Sequence, residues 1–289
     1  MNSFNRLTTL ALAAPAADPR PMLLRVVWSL CIAAAVCAVA LALDTRVLDN
    51  GDTVWLKPLR FCVAFGLHIM TLWWLAGLTR RQELGDRWFA LSARLQAAVA
   101  ILELGCIALQ AARGRHSHFN YATAFDQAIF TIMGMGTAVL LLGIVLMIAG
   151  LIRWPTERAT NIATIGGLLL AVLGGLVGVW MVMPTPEQRA LLATGVRLPW
   201  VGSALSAPPS GITMPWFGWD MRSGDWRVPH FIGLHAIQAL PCLAWVHQRI
   251  GGRAGNVPLW MWAGMAAYAV AFFLSVYLTG TGSSVLRFR

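Results

Sequence analysis

Glu103, His235 and His68 are the residues of this chain best suited to chemistry, because each is a titratable side chain set inside an apolar run. Ionisable groups within membrane spans cost roughly 2.5–3.5 kcal/mol on insertion scales and usually turn inward to a partner or a cavity. His68 stands eight residues after Arg60, Glu103 ten before Arg113, and His235 eight after Arg227. At the rise of an α-helix those offsets are about 12, 15 and 12 Å, so three segments deliver one ligand-type side chain each to one depth. Two imidazoles and a carboxylate have precedent at catalytic zinc, and neutral imidazole is the commonest metal ligand. Glu103 and His235 are therefore the expected catalytic pair, and His235, His68 and Glu103 the expected metal set. Haem b is the alternative cofactor: it takes an axial histidine or a facing pair, with Arg60, Arg113 or Arg227 on the propionates. The plainer reading makes His68 and His235 hydrogen-bonded interior histidines and Glu103 a neutral or arginine-paired acid. For His68 taken alone, that plainer reading is the better one.

Shallower polar residues cluster in three short segments, "VWLKPLRF", "ARGRHSHFN" and "GDWRVPHFIGLH". They supply the candidate ligand-binding set Lys57, Arg60, Gln110, Arg113, His118, Asn120, Asp126, Asp225, Arg227, His230 and Gln238. Arg115, Arg222, Asp220 and His116 complete a basic rim, and Arg115 and Arg222 read best as a solvated collar for lipid phosphate. Gln96, Glu103 and Gln110 recur every seven residues, drifting only about 20° per step on a straight helix. Gln238 follows His235 at the i+3 spacing that shares a helix face. His230 and His235, five apart, diverge by roughly 140° on a helix and do not form a ligand pair.

The elements that must position these groups are membrane helices. Of 289 residues, 58% are hydrophobic and only 12% charged, with a mean hydropathy of +0.65; a soluble domain carries about a quarter charged residues. Seven apolar runs are long enough to span: 22–43, 58–77, 88–112, 122–152, 161–183, 229–246 and 257–279. A bilayer crossing takes about 20 residues, and backbone in lipid must satisfy its own hydrogen bonds, so the runs are expected to be helices. The fold class is all-α, a polytopic seven-transmembrane-helix bundle. It follows an N-terminal tail, 1–21, as a single domain, 22–289. The sixth run is interrupted by Pro241 and two histidines. A long loop, 184–228, joins the fifth and sixth; its Trp200, Trp216, Trp219 and Trp226 suit the headgroup level and a cap over the bundle. Gly167, Ala171 and Gly175 in the fifth run, and Ala263, Ala267, Ala271 and Ser275 in the seventh, have the small-residue spacing of close helix contacts.

Parity brings the polar segments together. The start of an even span and the end of an odd span share a face, so all three segments and the long loop meet on one side. With the N-terminus inside, Arg6, Arg20, Arg25, Arg80, Arg81, Arg87, Arg153, Arg158, Arg249 and Arg253 fall on the cytoplasmic face. The other face carries a similar number, so the positive-inside rule discriminates little. The translocated look of the long loop favours N-inside and a periplasmic site in a bacterial plasma (inner) membrane.

The net charge of +10 is nearly all arginine, placed singly in short loops, with Lys57 the sole lysine. That suits anionic headgroups of the lipid bilayer and no nucleic acid. Five cysteines, all inside the expected spans and without a CxxC, argue against a disulfide framework or zinc ribbon. No GxSxG, P-loop, HExxH or CxxCH occurs, which sets aside the corresponding hydrolase, nucleotide and covalent-haem chemistries. Nor does the lysine lie mid-span, as a retinal-type Schiff base would need.

At "WLKPLRF", "QAARGRHSHFN" and "GDWRVPHFIGLHAIQALP" the chain resembles an uncharacterised family of bacterial multi-pass, seven-span membrane proteins. The matching residues are Lys57, Pro58, Phe61, Glu103, Gln110, Arg113, Gly114, Ser117, His118, Asn120, Asp225, Pro229, His230, His235 and Gln238. The resemblance runs from the second span through the sixth, does not require histidine at position 68, and brings no activity with it. Seven spans with buried histidine and acid also look like the ceramidase and adiponectin-receptor type of zinc hydrolase, but the HxxxxH here is not their late HxxxH. The expectation is a buried His/Glu site open to one face, binding haem or a metal for redox or hydrolytic chemistry. The alternative is non-catalytic binding or transport of a small-molecule or anionic ligand, or a structural place in a membrane complex.

Overall fold

The computed structural model describes residues 18–79, 83–204, 213–214, 217–220, 224–253 and 255–282. Most of the N-terminal tail, with Arg6, and also Arg80, Arg81, Trp216 and Arg222, lie outside them. Among the described residues the chain is all-helical, with no named strand: α1 (Arg20–Leu43), α2 (Leu56–Thr79), α3 (Glu83–Ala112), α4 (Ala124–Arg153), α5 (Arg158–Met181), α6 (Pro186–Ala193), α7 (Arg227–Arg249) and α8 (Leu259–Gly280). Six of these, α1 to α5 and α8, are long and apolar enough to cross a bilayer, the architecture of a multi-pass membrane protein. The sixth sequence-expected span, 229–246, lies in α7, which runs unbroken through Pro241. Its 23 residues suffice in length, but it is not among the six helices apolar enough to span, since its stretch 229–246 carries His230, His235, Gln238 and two prolines.

Local signals set the helix ends. Pro21 opens α1, where its missing amide donor costs nothing. Thr123 caps α4, its hydroxyl accepting from Asp126 N at 3.1 Å. Gly114, at φ +66°, takes the left-handed conformation that ends α3. The expected long loop is not one loop. Thr185 and Gln188 form a reciprocal capping box that starts α6, and residues 199–203 fold back on the rim: Tyr121 N donates to Pro199 O, Val201 N to Phe119 O and Ser203 N to Met181 O.

The closest packing is of α5 on α7, α1 on α2, and α3 on α4, with α2–α3 and α4–α5 contacts joining the pairs. One apolar core runs through α1 to α5, with Leu23, Ile69, Leu72, Ala93, Ile144 and Leu168 wholly or nearly buried. A second, with Ala163, Ala236, Leu240, Met261 and Phe272, seals α5, α7 and α8. The small-residue expectation holds for α5 and needs correcting for Ala263, Ala267 and Ala271 of α8. In α5 the residues against α7 are Gly167 and Gly174; a Cβ on Gly167 would stand 2.5 Å from Ala236 O, and one on Gly174 2.7 Å from Gly233 Cα. Gly175 instead meets Leu141 of α4. In α8, Ala263, Ala267 and Ala271 face outward, while Met261, Met265, Phe272 and Ser275 are buried, because large side chains fill the wider gap to α7.

The polar helix ends do meet on one face. Trp55 Nε1 donates to Asp44 at 2.8 Å, and Arg46, bound to the same carboxylate, reaches Ala112 O at the end of α3 at 3.1 Å. His116 bonds Asp49, so the α1–α2 and α3–α4 turns are tied.

Candidate functional site

Below that rim lies a group of polar side chains built around Lys57, His118 and Glu103. Lys57, in the first turn of α2, points Nζ at His118 Nδ1, 3.1 Å away, and over the ring of Phe61 one turn on. Ser117 Oγ is 3.0 Å from the same nitrogen. His118 is walled by Phe61, Phe119 and Phe130, with ring centroids 5.8, 6.2 and 6.1 Å from its own. Phe119 is the one non-glycine residue with positive φ, +59°, among the described residues. Such backbone costs of order 1–3 kcal/mol, here offset by packing on Phe130 and Trp200 at 5.7 and 5.9 Å. The reversal lets consecutive rings, His118 and Phe119, both rest on Phe130.

Glu103, 5% exposed, presents Oε1 without any hydrogen-bond partner. A Cβ on Gly136 of α4 would come within 3.1 Å of that oxygen, so the glycine makes the space the carboxylate occupies. Thr137 stands beside it, and Lys57 is the cation whose charge it feels. Lys57 in turn feels Arg227 and Asp52. The sequence periodicity of α3 holds: Gln96, Glu103 and Gln110 are all buried.

Deeper, a hydrogen-bond chain fixes its own polarity. Ser92 Oγ donates to Gly143 O at 2.6 Å and so accepts from Gln96 Nε2 at 2.8 Å. That turns Gln96 Oε1 toward His68, whose Nε2–H donates to it at 2.8 Å. His68 is thus a hydrogen-bonded interior histidine. His230 donates from Nδ1 to Gly174 O at 2.7 Å. His235 stacks on Phe231 at 4.0 Å, under a cluster with Trp219 and Phe217. Gln238 lies next to His235, and its Oε1 is buried without a partner.

The three sequence-expected metal ligands are not brought together. Glu103 lies against α4, His68 on Gln96 and His235 on Phe231, each turned to a different neighbour. Among the described residues no three histidine, cysteine, aspartate or glutamate side chains are placed to hold a metal ion. Several expected ligand-binding residues hold the rim together. Asp126 accepts from Gln110 Nε2 and Arg113 Nη1 at 2.9 and 2.6 Å. Asn120 donates to His116 O at 2.8 Å. Asp225 pairs with Arg227, which also reaches Gly218 O at 2.9 Å. Arg60 feels the charges of Asp52 and Arg227. Sequence reasoning missed Phe119, Phe130 and Gly136; Ser117 and, of the aromatic wall, Phe61 were named only among the residues that carry the family resemblance.

Burial holds His118 well below the ordinary histidine range, with the charges of Lys57 and His230 acting the same way. The folded protein thus takes up the His118 proton only at lower pH than the unfolded chain does. Stability is therefore full above about pH 6.5, the unfolded value, and falls as pH drops below it, because the unfolded state then binds more protons. Thermal melts in detergent between pH 5 and 8 should show a slope approaching about 1.4 kcal/mol per pH unit for that one proton. A His118→Gln variant with the same slope would refute the assignment.

Compared with known proteins, the chain matches no family model, no curated protein and no solved structure.

Proposed function

We propose that this chain is a seven-span protein of the bacterial inner membrane that binds a small polar molecule bearing hydrogen-bond donors. In this reading α7 is the sixth of seven spans, its polar residues turned to the bundle, with the N-terminus cytoplasmic and the site open to the periplasm. It draws on the segments that resemble the bacterial multi-pass family, and the lipid bilayer is the remaining partner. The carrying observation is Glu103 Oε1, buried and unpartnered. An unmet buried acceptor costs about 1–3 kcal/mol, more when charged, and calls for an occupant that donates to it. Gln238 Oε1 repeats the pattern on α7. Haem or zinc fits less well, since Glu103, His68 and His235 rest on different neighbours and, among the described residues, no three ligand-type side chains are grouped to hold a metal ion.

The test is a thermal-shift screen of detergent-purified protein against small amides, amino alcohols and polyols. A true ligand at a hundred times its dissociation constant should stabilise by about 2.7 kcal/mol, and Glu103→Leu should abolish the shift. Stabilisation that survives Glu103→Leu, or a screen without any stabilising compound, would defeat this reading.

A further inference from the structure

We propose that Lys57 condenses with an aldehyde or ketone, forming an imine at Nζ. The inference rests on the reading above to the extent that a small molecule must reach the site.

Interior lysines are ordinarily held by a carboxylate. Here no carboxylate lies within ion-pair distance of Nζ among the described residues; its nearest polar neighbour is a base, His118 Nδ1 at 3.1 Å. Lysines become nucleophiles when desolvated in an apolar pocket or set beside another cation. Both features are present: the Phe61 ring lies 5.8 Å below Nζ, His118 is backed by Phe119 and Phe130, and Arg227 is near enough for its charge to act on the amine. Lys57 is nonetheless partly exposed, so a carbonyl compound can approach it. Glu103 supplies the remaining need, a buried carboxylate within electrostatic reach whose Oε1 has no hydrogen-bond partner.

The steps balance without a redox partner. His118 Nδ1, a weak base in this buried setting, takes one proton from the ammonium only transiently, and the freed lone pair attacks the carbonyl carbon. As the C–N bond forms, the C=O π pair moves to oxygen, which picks up the second amine proton. The His118 proton then passes to that hydroxyl, which leaves as water while nitrogen closes the C=N bond. The product is a protonated imine, its positive charge facing Glu103. Ser117 Oγ, 3.0 Å from Nδ1, steadies the imidazole through the exchange.

Because Lys57 is the only lysine in the chain, the readout is simple. The full-length protein in detergent is incubated with 3-phenylpropanal and sodium cyanoborohydride, digested, and mapped by mass spectrometry, with Nα-acetyl-lysine amide as reference. Reductive trapping at Lys57 is expected to exceed the reference rate at least roughly tenfold, and His118→Gln should return it to the reference, consistent with a placed proton carrier worth at least about that much. Labelling confined to the N-terminal amine, or a Lys57 rate no faster than the reference, overturns the proposal. A fast rate unchanged in His118→Gln overturns the proton transfer assigned to His118. If Lys57 is unreactive while donor-bearing compounds still stabilise the protein through Glu103, only the imine chemistry fails; loss of both results removes the binding site as well.

Discussion

Gly174→Leu is expected to leave little folded protein. A Cβ at this position would stand 2.7 Å from Gly233 Cα and 2.7 Å from Leu234 N, and both are backbone atoms that cannot rotate away. Helices α5 and α7 would have to separate, which also breaks the bond from His230 Nδ1 to Gly174 O at 2.7 Å. Overpacking typically costs about 1–3 kcal/mol and sometimes more; a rigid backbone on both sides puts this case at the upper end. Gly166→Ala is the control. Its new methyl group would meet only Leu240 Cδ1 at 3.5 Å, and a helical glycine replaced by alanine gains up to about 1 kcal/mol. Size-exclusion profiles after stepped heating in detergent would compare them. Equal melting of Gly174→Leu and wild type would mean the two helices do not approach this closely.

Asp126→Ala should destabilise by about 1–3 kcal/mol, the usual result of leaving buried polar groups without their partner. The carboxylate is 0% exposed and accepts from Gln110, Arg113 and Thr123 at 2.9, 2.6 and 2.7 Å. Removing it strands two donors inside the rim and loosens the cap of α4. Asp126→Asn, which keeps an acceptor, should lose less. Disrupting the largely exposed Arg46–Asp44 pair through Arg46→Ala should cost under about 1 kcal/mol in ion-pair energy. Denaturant titrations of the three variants give the ranking. If Asp126→Ala proved no worse than Arg46→Ala, Asp126 would not be the pin that joins α3 to α4.

Both residues show how far the sequence could be read. Asp126 was visible as an acid one turn into an apolar run, and its neighbours Gln110 and Arg113 sat in the same short polar stretch. What hid its role was that an acid at a span mouth looks alike whether it waits for a ligand or braces a turn. The difference lies in how many donors already surround it, and those come from two helices and a cap. The glycines were legible as small residues, but the four-residue spacing of Gly167, Ala171 and Gly175 did not say which neighbour each meets, α7 for Gly167 and Leu141 of α4 for Gly175. Gly167 and Gly174, seven apart, keep nearly one azimuth, and these face α7.

The amino-acid sequence by itself determined the apolar helices, the face on which the polar segments gather, and the places of His68, Glu103 and His235 along their helices. Each of these follows from counting residues along a helix of fixed rise. Only the tertiary structure decided the direction in which each side chain looks: Glu103 to Gly136, His68 to Gln96, His235 to Phe231, and Lys57 to His118. Azimuth depends on how neighbouring helices rotate to fit their small and large residues together, and a one-dimensional spacing does not contain that fit.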